Sequence, residues 1–161
     1  MIFNYNKVSQ VGVVVRDLEK SMKLYWEEFG IGPWNIWTFA PPVTRDTTLY
    51  GKPVKHKFRI AETMIGDLCM ELIVHLDGES IYKEFLHKRG EGLHHIQYMT
   101  NEIEEALAKF RKAGIAIIQS GKVEKDSYYY LDTESRFGII IELATNFGFI
   151  PPERTYPPQV T

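Results

Sequence analysis

The sequence predicts an α+β fold in which two tandem βαβββ modules form a curved mixed sheet around a metal-binding cleft. Two observations carry this expectation. First, the chain contains an internal repeat: QVGVVVRDLEKSMKLYWEEFGI begins at Gln10 and HIQYMTNEIEEALAKFRKAGI at His95. Second, each half places a polar residue at the start of its first strand and a carboxylate within its last. At 161 residues, 44% hydrophobic and 25% charged, the chain can bury one sizeable core shared by both modules.

In the first module a short apolar strand from Gln10 leads to Asp17, a helix N-cap. Leu18, Met22, Tyr25 and Phe29 keep helical spacing, and Gly30 supplies a left-handed stop. Strands follow over 34–39, 54–61 and 67–75. The excursion APPVTRDTTLYGKP is expected to be a loop because of its prolines and Gly51. A linker with a short helix over 79–88 joins the modules. In the second, Asn101 can cap a helix along which Ile103, Ala106, Leu107 and Phe110 share a face, and Gly114 ends it. Strands follow over 115–119, 127–132 and 138–144. The tail NFGFIPPERTYPPQVT has four prolines and no periodicity, so it is extended or packs on a partner. One domain spans 1–161: module one over 8–75, the linker over 76–91, module two over 92–144, and the Pro-rich tail over 145–161.

Alternation along strands allots faces. Val11, Val13 and Val15 share one face, and Gln10 and Gly12 take the other. Ile96 and Tyr98 oppose His95 and Gln97; Met70, Leu72 and Val74 oppose Glu71; Ile139, Ile141 and Leu143 oppose Glu142. Taken singly, such a glutamate is solvated and such a histidine is structural. Their matched places in a repeat let Gln10, Glu71, His95 and Glu142 converge. Their nitrogen and oxygen donors suit a divalent ion such as Zn, Ni, Co, Mn or Mg.

The totals exclude other classes. A formal charge of −2 draws the chain to neither nucleic acid nor an anionic membrane. No apolar run approaches the ~20 residues that span a bilayer, and MIFNYNKVSQ does not read as a signal peptide. Cys69 is the only cysteine, so no internal disulfide forms and a reducing cytoplasm fits. A buried, inert thiol is its expected role.

In their order and spacing, VGVVVRDLEKSMKLY, MELIVHLDGES, GEGLHHIQY and GIIIELA resemble the vicinal oxygen chelate superfamily. That superfamily includes glyoxalase I, methylmalonyl-CoA epimerase, extradiol dioxygenases and bleomycin-resistance proteins. GEGLHHI, IELA and MELIVHLDGES look closest to the epimerase branch. The resemblance implies metal ligands at Gln10, Glu71, His95 and Glu142, and as partners a small-molecule substrate and a second copy of the chain. Epimerase relatives present His, Gln, His and Glu at the ligand places; the Gln, Glu, His, Glu set here is that of zinc-type glyoxalase I.

The implied function is a metal-dependent epimerase or isomerase that removes a proton beside a carbonyl or CoA thioester through a metal-bound enolate. The alternatives are a glyoxalase I-like lactoylglutathione lyase and a non-catalytic small-molecule binding or resistance protein. The substrate would be an acyl-CoA or a thiol adduct, and the assembly a homodimer. Gln10 in a histidine's place argues against an extradiol dioxygenase. Glu142 or Glu71 is the candidate base. Epimerase relatives also carry a catalytic glutamate on the third strand of module one, where Lys57 and Glu62 are the candidates. Arg45, Lys55, Lys57 and Arg59 can meet an anionic substrate or form a solvated strand face. By parity His94 shares the face of Ile96 and packs or hydrogen-bonds within the structure, His75 reaches the cleft mouth, and Trp34 and Trp37 pack in the core or roof the cavity.

Overall fold

The computed structural model describes residues 7–145 and 150–158. The leading residues 1–6, read above for a signal peptide, and tail residues 146–149 and 159–161 lie outside the described residues. The elements run β1 (Gln10–Val14), α1 (Leu18–Phe29), β2 (Trp34–Phe39), β3 (Thr44–Leu49), β4 (Lys52–Pro53), β5 (His56–Ile65) and β6 (Leu68–Gly78). There follow α2 (Ile81–Lys88), β7 (Gly92–Met99), α3 (Ile103–Lys112), β8 (Ile117–Val123), β9 (Asp126–Leu131), α4 (Glu134–Phe137), β10 (Ile140–Ala144) and β11 (Arg154–Tyr156).

The strands form one mixed sheet in the order β11-β2-β5-β6-β1-β7-β10-β9-β8-β3-β4. Its centre is the antiparallel pair β1–β7, with β6 parallel to β1 and β10 parallel to β7. Each module therefore repeats the same local order about that seam. Neighbouring strands lie about 4.8 Å apart, so β2 and β3 would stand roughly 38 Å apart in a flat sheet. The chain between them, residues 40–43, reaches at most about 18 Å. That short crossing requires the sheet to curl on itself, and the concave side becomes a cleft.

The excursion expected to be a loop is thus a correction: it forms β3 and β4, and β3 pairs with β8 of module two. TRDTTL has no apolar alternation to announce a strand. Its pairing comes from the free edge that β8 offers.

Three apolar clusters follow from strand alternation. On the convex side, α1 lays Leu18 and Met22 on Val15, Ile36, Ala61 and Leu72, and α3 lays Ala106, Leu107 and Phe110 on Leu131 and Leu143. The third lines the concave side, where Phe39, Phe58 and Ile60 of module one meet Val123, Tyr128 and Tyr130 of module two, with Tyr82 of α2 between them. Asp17 caps α1 by accepting from the Lys20 N–H, and Gly30 ends it at φ 66°. Phe29 closes α1 as its spacing predicts and is exposed there. One local expectation fails: Asn101 does not cap α3, whose preceding turn is held by Thr100 Oγ1 accepting from Glu102 N. The described part of the tail packs on its own chain, because β11 adds to β2.

Candidate functional site

The four sequence-selected side chains all face the concave side. Alternation on β1 turns Val11 and Val13 toward α1 and Gln10 and Gly12 inward, as the pattern predicts. The register then sets the layout. Gly12 pairs with His95 on β7 and with Glu71 on β6. Gln97 pairs with Gln10 on β1 and with Glu142 on β10. The four side chains are almost fully buried: His95 is 0% exposed, Glu142 3%, Gln10 6% and Glu71 8%.

His95 owes its place to Gly12. A Cβ on Gly12 would sit 2.0 Å from His95 Cε1, so only glycine lets the ring lie over β1. His95 Nε2 stands 3.0 Å from Glu142 Oε2 and 3.6 Å from Glu71 Oε2. Its Nδ1 shares a 3.0 Å hydrogen bond with His94 Nδ1, in which one ring donates and the other accepts. Burial, and then the His95 ring, hold His94 well below the usual imidazole range, so neutral His94 fits the acceptor role. In that arrangement His95 carries its proton on Nδ1 and turns a lone pair at Nε2 toward the carboxylates.

His94 was expected on the face of Ile96, and this is corrected. The β1–β7 register slips after Gly12, which pairs with His95 while Val13 pairs with Leu93. The extra residue, His94, makes a β-bulge. Its ring lies against Tyr82, Phe85 and Tyr130 on the concave side.

Gln10 is held at both ends of its amide. Gln97 Nε2 donates to Gln10 Oε1 at 2.9 Å, and Gln10 Nε2 donates to Glu62 Oε1 at 2.9 Å. Ser9 Oγ in turn donates to Gln97 Oε1 at 3.1 Å. Glu62, which pairs with Glu71 across β5–β6, therefore belongs to the same group. Alternation on β5 faces Phe58, Ile60 and Glu62 to the cavity and leaves Lys57 exposed on the other face. Lys57 is thereby excluded as a site residue. Arg59 shares that face and donates to Thr38 Oγ1, while Arg45 is exposed and donates to the Glu124 carbonyl.

Three carboxylates in one buried corner repel one another. Burial first, and then Glu142, push Glu62 up to about 7 against the opposing Gln10 amide. Burial, then Glu62 and Glu142, hold Glu71 well above the carboxylate range. Burial also pushes the Cys69 thiol up, which agrees with an inert thiol, although Cys69 is only half-buried and lines the cavity.

Among the described residues, no three His, Cys, Asp or Glu side chains already stand as a coordination cluster. The donor chemistry nonetheless fits a divalent ion. Donors about 2.1 Å from one ion stand about 3.0 Å apart in an octahedral shell and about 3.4 Å apart in a tetrahedral one. The His95–Glu142 and His95–Glu71 separations of 3.0 and 3.6 Å are close to those values. His95 Nε2 and Glu142 Oε2 are buried without a hydrogen-bond partner, a state that a cation would relieve. Gln10 Oε1 would complete the set, using its second lone pair while it accepts from Gln97.

The carboxylate corner closes one end of a cavity of about 420 Å³. Trp37, Phe39, Phe58, Ile60 and Tyr128 wall the rest, and Ile150 and Pro152 of the tail border it. Trp37 Nε1 donates to the Ile150 carbonyl at 3.1 Å and holds the tail there. Trp34 is instead core beneath α1. His75 bonds to Ser80 Oγ through Nδ1 and does not line the cavity.

Known proteins resemble this chain in sequence or in fold. A curated relative, the uncharacterized protein YqjC of Bacillus subtilis (strain 168), is 24% identical over 147 residues, covering 89% of this chain and 94% of its own. A hypothetical protein, BH1468 of Bacillus halodurans C-125, has a solved structure with TM-score 0.63 and 24% identity, over 89% of this chain and 96% of that one. Methylmalonyl-CoA epimerase of Streptomyces coelicolor, solved with 2-nitronate-propionyl-CoA, gives TM-score 0.64 at 17% identity, over 92% and 100%. The Mycobacterium tuberculosis methylmalonyl-CoA epimerase gives 0.63 at 16%, over 89% and 90%. These structural likenesses show the fold. Among the described residues no helix is long and apolar enough to cross a membrane. The family match is to the sequence itself: over residues 9–130, which hold the repeat seam and three of the four converging side chains, the chain belongs to the Glyoxalase/Bleomycin resistance protein/Dioxygenase superfamily.

Proposed function

We propose that this chain is a divalent-metal-dependent enzyme that moves a proton on the carbon beside a carbonyl or thioester, in the manner of an epimerase or isomerase. One observation carries the reading: Glu62 joins Gln10, Glu71, His95 and Glu142 at the buried end of the cavity. Gln10, Glu71, His95 and Glu142 would hold the ion. When bound, it supplies Lewis-acid polarisation of the carbonyl oxygen.

Glu62 is the group best suited to take the proton. It lies outside the proposed ligand set, so its carboxylate is not committed to the ion. Its proton affinity, raised to about 7, suits a base working near neutral pH. The hydrogen bond from Gln10 Nε2 fixes one oxygen and leaves the other for substrate. Glu142 comes from the other module and is the candidate for returning the proton to the opposite face, with Glu71 the second choice. The aromatic walls exclude water from the reacting carbon. The methylmalonyl-CoA epimerase structures of the same fold favour this class. The Gln, Glu, His, Glu donor set favours, as a second reading, a lactoylglutathione lyase-like step, which also begins with proton removal beside a carbonyl.

The test is deuterium exchange. Protein loaded in turn with Zn, Ni, Co, Mn or Mg is incubated in D2O with methylmalonyl-CoA, with a glutathione hemithioacetal and with 2-hydroxyacetophenone. Deuteration beside the carbonyl, lost in Glu62→Gln while metal content is retained, is the expected result. Thioester formation from the hemithioacetal selects the lyase. If no metal-loaded form deuterates any of the three, the chain is a binding protein and the catalytic reading is wrong.

A further inference from the structure

The cavity is chemically lopsided. Its polar end holds Glu62, Glu71 and Glu142 with the neutral amides of Gln10, Gln97 and Asn35, and the remaining walls are apolar or aromatic. Among the described lining residues there is no lysine or arginine. The undescribed stretches 1–6, 146–149 and 159–161 contain no lysine, arginine or histidine either. The cations nearest in the sheet are turned away or engaged: Lys57 and Arg59 by strand alternation, Arg45 by the Glu124 carbonyl, and Lys122 by Asp46. Two of the phenols at the back are also spoken for, because Tyr82 and Tyr130 bond each other at 2.8 Å. The buried Tyr128 hydroxyl over Gly121 is the exception: it has no hydrogen-bond partner among the described residues, and it offers a neutral donor and not a cation.

An anionic group placed in such a cavity would lose its hydration and find no cation to replace it. A dication held by Glu71 and Glu142 would be balanced by those two carboxylates, so it would bring no net positive charge to the corner. An uncharged aromatic or branched body would instead bury its surface against Trp37, Phe58 and Ile60, at about 25 cal/mol for each Å² removed from water. About 420 Å³ is room for a small molecule, toward the lower end of ligand pockets.

We infer that the group bound inside this cleft is an uncharged carbonyl compound with an apolar body of aromatic size, and not a carboxylate-bearing acyl group. The inference rests on the proposed carbonyl chemistry for the role of the polar end. It narrows that proposal, because a malonyl-type carboxylate would meet no lysine or arginine among the described lining residues.

Calorimetry with two probes of the same shape tests it. 2-Hydroxyacetophenone is neutral and benzoylformate is its anionic counterpart; each is titrated into the Glu62→Gln protein, which removes turnover, with and without added Zn. The neutral probe is expected to bind at least tenfold more tightly in both states, and Trp37→Ala to weaken it at least fivefold with unchanged circular dichroism. Equal or tighter binding of benzoylformate, no binding of either probe, or indifference to Trp37→Ala would overturn the inference. Its failure is separable from that of the catalytic reading. Deuteration without neutral preference sinks only the substrate class, and neutral preference without deuteration sinks only the catalysis.

Discussion

The two modules place their site residues by the same register, yet they surround them differently. Gln10 and His95 hold equivalent places on β1 and β7, and Glu71 and Glu142 on β6 and β10. Beneath His95 the facing residue is Gly12, which leaves the ring room; beneath Gln10 it is Gln97, which binds the amide. Across from Glu71 stands Glu62, and across from Glu142 stands Tyr130. One module therefore offers a carboxyl group beside its proposed ligand carboxylate and the other a phenol. A symmetric scaffold thus carries an asymmetric site, as the proposed reaction at two faces of one carbon would require.

The largest way to break this comparison is to remove its charged member. Glu62→Gln keeps the shape and the contact to Gln10, so deuterium exchange should fall about 10²- to 10⁴-fold while metal affinity changes little. Exchange that survives intact would move the base to Glu142 or Glu71. Next comes the glycine. Gly12→Ala puts a methyl group into the His95 ring, so the ring must leave. Unfolding in urea should show a loss of about 1–3 kcal/mol, and titration with Zn should show affinity reduced about a hundredfold. If Gly12→Ala binds Zn as tightly as the parent, His95 is not a ligand.

What could be read in the sequence was what depends on period and repeat. The faces of Gln10, Glu71, His95 and Glu142 were read by alternation, since a strand within a regular ladder has no freedom to turn one residue around, and their grouping by their matched places in the repeat. Both helices and their apolar stripes followed for the same reason. Whatever depends on a distant partner was not legible. TRDTTL becomes β3 only because β8 presents an edge to it. His94 faces the cleft because one extra residue enters β7, and parity counting fails beyond a bulge. Lys57 and Glu62 are an odd number of residues apart, so only the true register could say which one faces inward.

Module one carries a further buried group without a counterpart on β9. His56 stacks on Phe58 at 5.3 Å and has both ring nitrogens buried without partners. Burial, then His75, depress it to about 4. A histidine that stays neutral when folded and charges when unfolded gives the unfolded chain more protons between its two pKa values. Its stabilising share is therefore complete above about 6.5 and is lost as pH falls toward 4. Over that window the parent should lose on the order of 3 kcal/mol relative to His56→Phe, measured by urea unfolding at stepped pH. Parallel curves for the two proteins would show that His56 reaches solvent. The effect of His94 is smaller and falls on the metal. His94→Phe keeps the ring contacts and removes the acceptor for His95 Nδ1, so Zn affinity should drop about 10- to 100-fold.

The smallest expected effect addresses the phenol itself. Tyr130→Phe leaves the aromatic wall but removes one half of the 2.8 Å bond to Tyr82, and the Tyr82 hydroxyl is then buried without that partner. A stability loss of about 1–2 kcal/mol by urea unfolding follows. If Tyr130 only packs the cleft, deuterium exchange per bound metal should stay within about twofold of the parent, since the hydroxyl is engaged by Tyr82 and not by substrate. A drop comparable to that of Glu62→Gln would mean that the phenol opposite Glu142 takes part in proton transfer. The asymmetry between the modules would then be one of base against acid, and not of base against wall.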